Sequence, residues 1–144
     1  SDRQVFGTEG NDLVNAATSG TGNNSINLEA GDDLAILGTG DILIGAEGAD
    51  RFFVTNGGDN TITGGEGADQ FWLADGQFPE SANIITDFES GVDVLGIASL
   101  DIAFEELSIT DSNGDALIAN GEKDLAILQG VDATSLNANN FVFV

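Results

Sequence analysis

Residues 64–72 read Gly64-Gly-Glu-Gly-Ala-Asp-Gln-Phe-Trp72, with glycine at places one, two and four, aspartate at six and a large apolar residue at eight. Each fixed residue has a mechanical reason. Glycine reaches the positive φ angles of a tight turn without a steric penalty. Such a turn can direct backbone carbonyls inward, and the aspartate adds carboxylate oxygen, giving an all-oxygen environment suited to a hard cation. The bulky eighth residue then opens a short strand with its side chain in the core. Three more stretches keep the fourth-place glycine and sixth-place aspartate: Gly7-Thr-Glu-Gly-Asn-Asp-Leu-Val-Asn15, Leu28-Glu-Ala-Gly-Asp-Asp-Leu-Ala-Ile36 and Gly45-Ala-Glu-Gly-Ala-Asp-Arg-Phe-Phe53.

Weaker copies lie between the strong ones. Ser19-Gly-Thr-Gly-Asn-Asn-Ser-Ile-Asn27 and Thr55-Asn-Gly-Gly-Asp-Asn-Thr-Ile-Thr63 carry Asn24 and Asn60 at the sixth place, and Leu37-Gly-Thr-Gly-Asp-Ile-Leu-Ile44 is one residue short. Ordinary hairpins also use Gly-Asp and Gly-Asn turns, but they have no reason to alternate two loop grades. The nonapeptide resembles the calcium-binding repeat of the RTX (repeats-in-toxin) family, in which successive repeats build a parallel β-roll. The resemblance is specific over 7–72 and looser over 84–144, where Ile84-Ile-Thr-Asp-Phe-Glu-Ser-Gly-Val-Asp-Val-Leu95 is similar to the stretch that closes such rolls.

The resemblance implies half a coil per repeat, or about 18 residues per coil. Asp12, Asp33, Asp50 and Asp69 follow one another at 21, 17 and 19 residues, and so would form one column along one edge. Asn23, Asp41 and Asp59 recur at intervals of 18 and would mark the weaker edge. Inward positions would be Val14, Ile26, Ala35, Ile44, Phe52, Ile62 and Phe71. Ca2+ would lie between stacked loops. It would take carboxylate oxygen from the four column aspartates and carbonyl oxygen from Gly7, Glu9, Gly45, Glu47, Gly64 and Glu66 and from the fourth-place Gly10, Gly31, Gly48 and Gly67. The side chains of Glu9, Glu47 and Glu66 would point outward and deepen the local negative potential. Asp87, 18 residues past Asp69, would close the last site from the capping segment, the alternative being a solvated carboxylate at a strand end.

Composition narrows the function classes. The 144 residues carry 25 acidic and three basic side chains, a net charge of −22, so nucleic acid and anionic membranes are poor partners. A hydrophobic fraction of 41% and nine phenylalanines are too apolar for a disordered acidic tail. Without cysteine there is neither a disulfide frame nor a thiolate site, and without histidine the commonest general base is missing. No enzyme is expected in these residues. Asp111-Ser-Asn-Gly-Asp-Ala-Leu-Ile-Ala-Asn-Gly-Glu122 matches EF-hand ligand spacing, but Ala116 stands where that loop needs glycine, and a β-hairpin explains the same residues.

The expected fold is all-β: a calcium-binding parallel β-roll over 6–72, then an antiparallel β cap and secretion region over 73–144. Strands are expected near 107–110, 116–118, 125–128 and 141–144, with helical turns near 104–107 and 136–139. The RTX resemblance implies a calcium-dependent folding module of a secreted, extracellular protein, with a type I secretion exporter as partner. Ser1-Asp-Arg-Gln-Val leads directly into a loop, so a longer parent chain is expected. A second reading uses the same roll as a scaffold for binding a cell surface or polysaccharide. It needs Phe53 and Trp72, both at ninth places, to be exposed; the expectation is that the cap buries them.

Overall fold

The computed structural model describes residues 3–17, 22–55 and 57–144. Ser19, Gly20 and Thr21 of the first weak repeat, and Asn56 of the third, lie outside the described residues. The chain forms a parallel β-solenoid of about four turns with a small antiparallel segment at its carboxyl end. Odd-numbered strands of the coil stack in one sheet: β1 (Gln4–Phe6), β3 (Ser25–Asn27), β5 (Ile42–Glu47), β7 (Thr61–Glu66) and β9 (Asn83–Ile85). Even-numbered strands stack in the facing sheet: β2 (Leu13–Asn15), β4 (Leu34–Leu37), β6 (Arg51–Val54), β8 (Gln70–Asp75) and β10 (Val94–Ala98). The parallel stack therefore continues past Trp72. Ile84 pairs with Thr61, and Leu95 pairs with Phe71.

Period-two alternation decides what lies between the sheets. One sheet contributes Ile26, Leu43, Ile62 and Ile85, and the other Ala35, Phe52, Phe71 and Leu95, all buried. Phe52 and Phe71 stack with centroids 5.3 Å apart, and Phe88 tilts onto Phe71 from the closing loop. Val14 at the open first coil is only partly buried. One expected inward residue is wrong. Ile44 is 41% exposed and Leu43 takes the core position. The short repeat keeps frame from Asp41, not from its first residue, so the inward place falls two residues after the aspartate.

At the carboxyl end β11 (Ser108–Ser112), β12 (Asp115–Asn120) and β13 (Lys123–Leu128) form an antiparallel meander that joins the first sheet beside β9. The Asn113-Gly114 turn has both residues at positive φ, 54° and 88°, as a tight hairpin requires. The EF-like spacing is thus a hairpin. Its Asp111 and Asp115 carboxylates accept the Ala133 and Gly130 N–H groups. Short 3-10 turns occupy Phe104–Glu106, Ala133–Ser135 and Ala138–Asn140. The last strand, β14 (Phe141–Phe143), pairs parallel with β10, and Phe141 packs on Phe104.

Candidate metal centre

The strong repeats all turn at the same edge. Loops 7–12, 28–33, 45–50 and 64–69 connect the first sheet to the second, and a fifth, 86–93, connects β9 to β10. Their aspartates form a hydrogen-bonded file. The Asp12 N–H donates to Asp33 Oδ1 (2.7 Å), Asp33 to Asp50 (2.9 Å), Asp50 to Asp69 (3.0 Å) and Asp69 to Asp93 (2.9 Å). One carboxylate oxygen of each thus locks the coil before it. The other oxygen is the informative one. Oδ2 of Asp33, Asp50 and Asp69 is buried with no hydrogen-bond partner among the described residues. An orphaned buried carboxylate oxygen is costly, and it suits a cation ligand.

The glycines make this packing possible. A side chain on Gly45 or Gly64 would overlap the free Oδ2 of Asp50 or Asp69 in the same loop. Gly31, Gly48 and Gly67 have φ of 123°, 127° and 121°, and a Cβ on any of them would collide with the carbonyl oxygen of the fourth-place glycine one coil earlier. Only glycine satisfies both demands. The second strong loop departs from the pattern: its first residue is Leu28, fully buried. Among the described residues no three acidic side chains converge on one point. The carboxylates form a line, so backbone carbonyls must supply the rest of any oxygen shell. The Glu47 and Glu66 carbonyls each already accept one N–H, from Gly31 and Gly48. The Glu9, Glu47 and Glu66 side chains are exposed, and Glu9 and Glu47 line an open groove beside the file.

The ends of the file differ from its middle. Asp12 Oδ2 accepts both the N–H (2.6 Å) and the hydroxyl (3.1 Å) of Thr8. Thr8 keeps an ordinary φ, whereas Glu29, Ala46 and Gly65 at the same place in later loops have φ of 69°, 79° and 93°. At the far end Asp93 continues the file, and its Oδ2 accepts the Glu89 N–H (2.9 Å). Asp87 lies on the same edge but opposite Gly64; it accepts the Gly64 and Gly65 N–H groups, both at 2.8 Å. Asp93 was missed from spacing, since it lies 24 residues past Asp69. The motif itself held the signal: Gly91-Val-Asp93-Val-Leu95 keeps glycine, aspartate and apolar residue at the right separations.

Electrostatics follow the burial. Burial pushes Asp69 up to about 7, helped by the charges of Asp93, Asp50 and Asp87 and opposed by the Asp50 N–H. Asp50 is likewise raised to about 6, mainly by burial and then by Asp33. Burial also raises Asp33 and Asp93 above the usual carboxylate range. The weaker edge is built otherwise. Its ladder is Asn24, Asp41, Asn60 and Asn83. Asp41 is saturated: Oδ1 accepts from the Asn24 backbone and side chain, and Oδ2 from the Gly38 N–H. Asp59 is exposed at the neighbouring place, with φ of 58°, and is not in the ladder.

A parallel β-solenoid with a buried file of aspartates along one turn edge defines a cation-binding β-roll. The RTX calcium-binding nonapeptide repeat matches in four copies over residues 6–41 and 52–77, so the chain carries repeats of the RTX calcium-binding kind. No curated protein sequence matches it significantly. Three solved structures are similar. The AlgE6R2 subunit of the Azotobacter vinelandii mannuronan C5-epimerase is 25% identical with a TM-score of 0.42, covering 98% of this chain and 92% of that one. The AlgE6R3 subunit of the same epimerase is 21% identical with a TM-score of 0.51, covering 99% and 79%. The extracellular lipase LipA from Serratia marcescens is 14% identical with a TM-score of 0.49, covering 100% of this chain and 40% of the lipase. The AlgE6R3 likeness shows a shared fold.

Proposed function

We propose that the chain is a calcium-dependent folding and type I export module of an extracellular protein. The three orphaned, buried Oδ2 atoms of Asp33, Asp50 and Asp69 carry this reading. Bound Ca2+ would supply the positive charge that lets stacked carboxylates stay ionised at close range. Those three aspartates are the primary ligands, with Asp12, Asp93 and Asp87 contributing at the ends of the file. Carbonyls of Gly7, Glu9, Gly10, Gly31, Gly45, Glu47, Gly48, Gly64, Glu66 and Gly67 complete the shells. Asp41 serves as a structural residue of the other edge, and Asp59 at most as a weak peripheral ligand. Residues 6–72 order around the ions, and 73–144 close the roll.

Physics links the ions to export. With calcium scarce, a net charge of −22 and strands of only three to six residues leave the chain short of the free energy needed to order it. Extracellular modules bind calcium with Kd on the order of 10⁻⁴–10⁻³ M, so the chain stays unfolded inside the cell and folds outside. The test is transport. A passenger fused ahead of the chain, in cells with a matched type I exporter, should reach the medium, and deleting residues 141–144 should stop it. Secretion at undiminished levels without those residues would remove the tail from the export role, leaving it only as β14.

A further inference from the structure

The outer face of the second sheet has a composition the calcium roll does not require. In register across its strands lie Asn15, Ile36, Phe53, Trp72, Gly96 and Val142. Phe53 and Trp72 are stacked with centroids 5.6 Å apart and planes within 2°. Both are half-buried. The indole is held in place on two sides. Its Nε1 donates to Gln70 Oε1 (3.2 Å), and it leans over Gly96, where any Cβ would collide with the ring. Gly96 is not among the positive-φ residues, so its backbone does not call for glycine. A glycine inside a strand weakens it, and here the missing side chain makes room for the ring. The Phe53 side of the stack borders an open groove of about 250 Å³ lined by Leu34, Ile36, Phe53, Thr55 and Asp75.

We propose that this face binds a neutral polysaccharide, with Phe53, held in place by the stacked Trp72, as the apolar surface and Asp75 as the acceptor of ligand hydroxyls. The chemistry selects the ligand class. An ionised carboxylate only accepts hydrogen bonds, so a ligand beside Asp75 must donate them. Asp75 and the net charge of −22 together repel polyuronates and other polyanions. The apolar lining demands a ligand that also has a C–H face, and a pyranose has both. The groove is smaller than the ~300–1,000 Å³ pockets that enclose drug-sized molecules. It is open and continues across strands, which fits one ring of a chain polymer and not an engulfed small molecule. This inference rests on the calcium reading only in requiring a folded roll.

Native gel electrophoresis of the 144-residue chain in calcium tests it, with galactomannan, hydroxyethyl cellulose or soluble starch cast in the gel and polygalacturonate as the anionic control. Retardation is expected in at least one neutral polymer and none in polygalacturonate. Trp72→Ala and Asp75→Asn should each weaken it by at least about tenfold, a loss of one good stacking or charge-assisted contact. Circular dichroism in calcium checks that each variant is folded. Asp75 is exposed, so Asp75→Asn gives a reading even if Trp72→Ala misfolds. No retardation in any neutral polymer, retention only in polygalacturonate, or undiminished binding by a folded Asp75→Asn variant would each overturn the proposal. So would a concentration-dependent dimer in sedimentation that Trp72→Ala abolishes, since a second copy would then own the face. A chain that stays folded in chelator would overturn the calcium reading instead, and the same gels would still decide this one.

Discussion

Asp41 and Asp50 are both fully buried, yet only Asp50 is short of partners. On the proposed reading, that difference separates a structural carboxylate from a calcium ligand. Asp50→Asn keeps the shape but removes the charge, and should raise the calcium concentration at the folding midpoint about tenfold or more. Asp41→Ala leaves buried N–H groups unsatisfied and should cost about 1–3 kcal/mol of stability in saturating calcium, with a smaller shift in the midpoint. Calcium titrations followed by circular dichroism check both, and a larger midpoint shift at Asp41 would exchange the roles of the two edges. The same residues set a pH dependence. Burial holds Asp50 near 6 and Asp69 near 7 in the fold, against 3.8 for the ordinary group. A raised folded-state pKa adds stability that is complete below about pH 4 and is lost as pH rises through 6–7. Calcium needs the ionised form, so the sign reverses with metal. In chelator, β signal should grow from about pH 8 to about pH 5.5, while the calcium midpoint should rise over the same range.

The fifth loop is the element that completes the edge. Asp93 holds the buried N–H of Asp69 and that of Glu89, while Asp87 holds Gly64 and Gly65. Asp93→Ala should therefore reduce the number of ions bound in calorimetry and cost about 1–3 kcal/mol for each unsatisfied N–H. Asp59→Ala should change neither quantity, and a lost ion there would show that the exposed fifth place binds. The elements were legible to unequal degrees. Strong loops could be read because the φ and packing demands at places four and six admit few residues, as Gly48 and Asp50 show. The hairpin at Asn113-Gly114 was legible for the same reason. Ile44 misled because the repeat before it lacks a residue, and only Asp41 reveals the frame. Asp93 was hidden because Phe88 and Glu89 stand where the two leading glycines of the motif would be. A spacing rule found Asp87, a loop neighbour, in its place. The pairing of β14 with β10 joins segments far apart in sequence, and no local pattern encodes it.

For the whole molecule, one balance dominates. Twenty-five carboxylates repel one another, and five of them, Asp12, Asp33, Asp50, Asp69 and Asp93, are threaded along a single edge. Against that stands a core of one to three buried side chains per strand of the roll from β3 to β10, such as Phe52 and Val54 of β6, whose buried aromatics are Phe52, Phe71, Phe88 and Phe141. Net stability is a small difference between large opposing terms, and on the proposed reading cations at the edge tip it toward the fold. The closing meander and β14 add apolar contact but only one positive charge, Lys123. Far-UV circular dichroism with limited proteolysis, in chelator and then across a calcium titration near pH 8, tests this balance most directly. Loss of most β signal and rapid cleavage in chelator, both reversed with a midpoint between about 10⁻⁴ and 10⁻³ M calcium, is the expected result. A β signal and protease resistance that are the same in chelator and in calcium would contradict it.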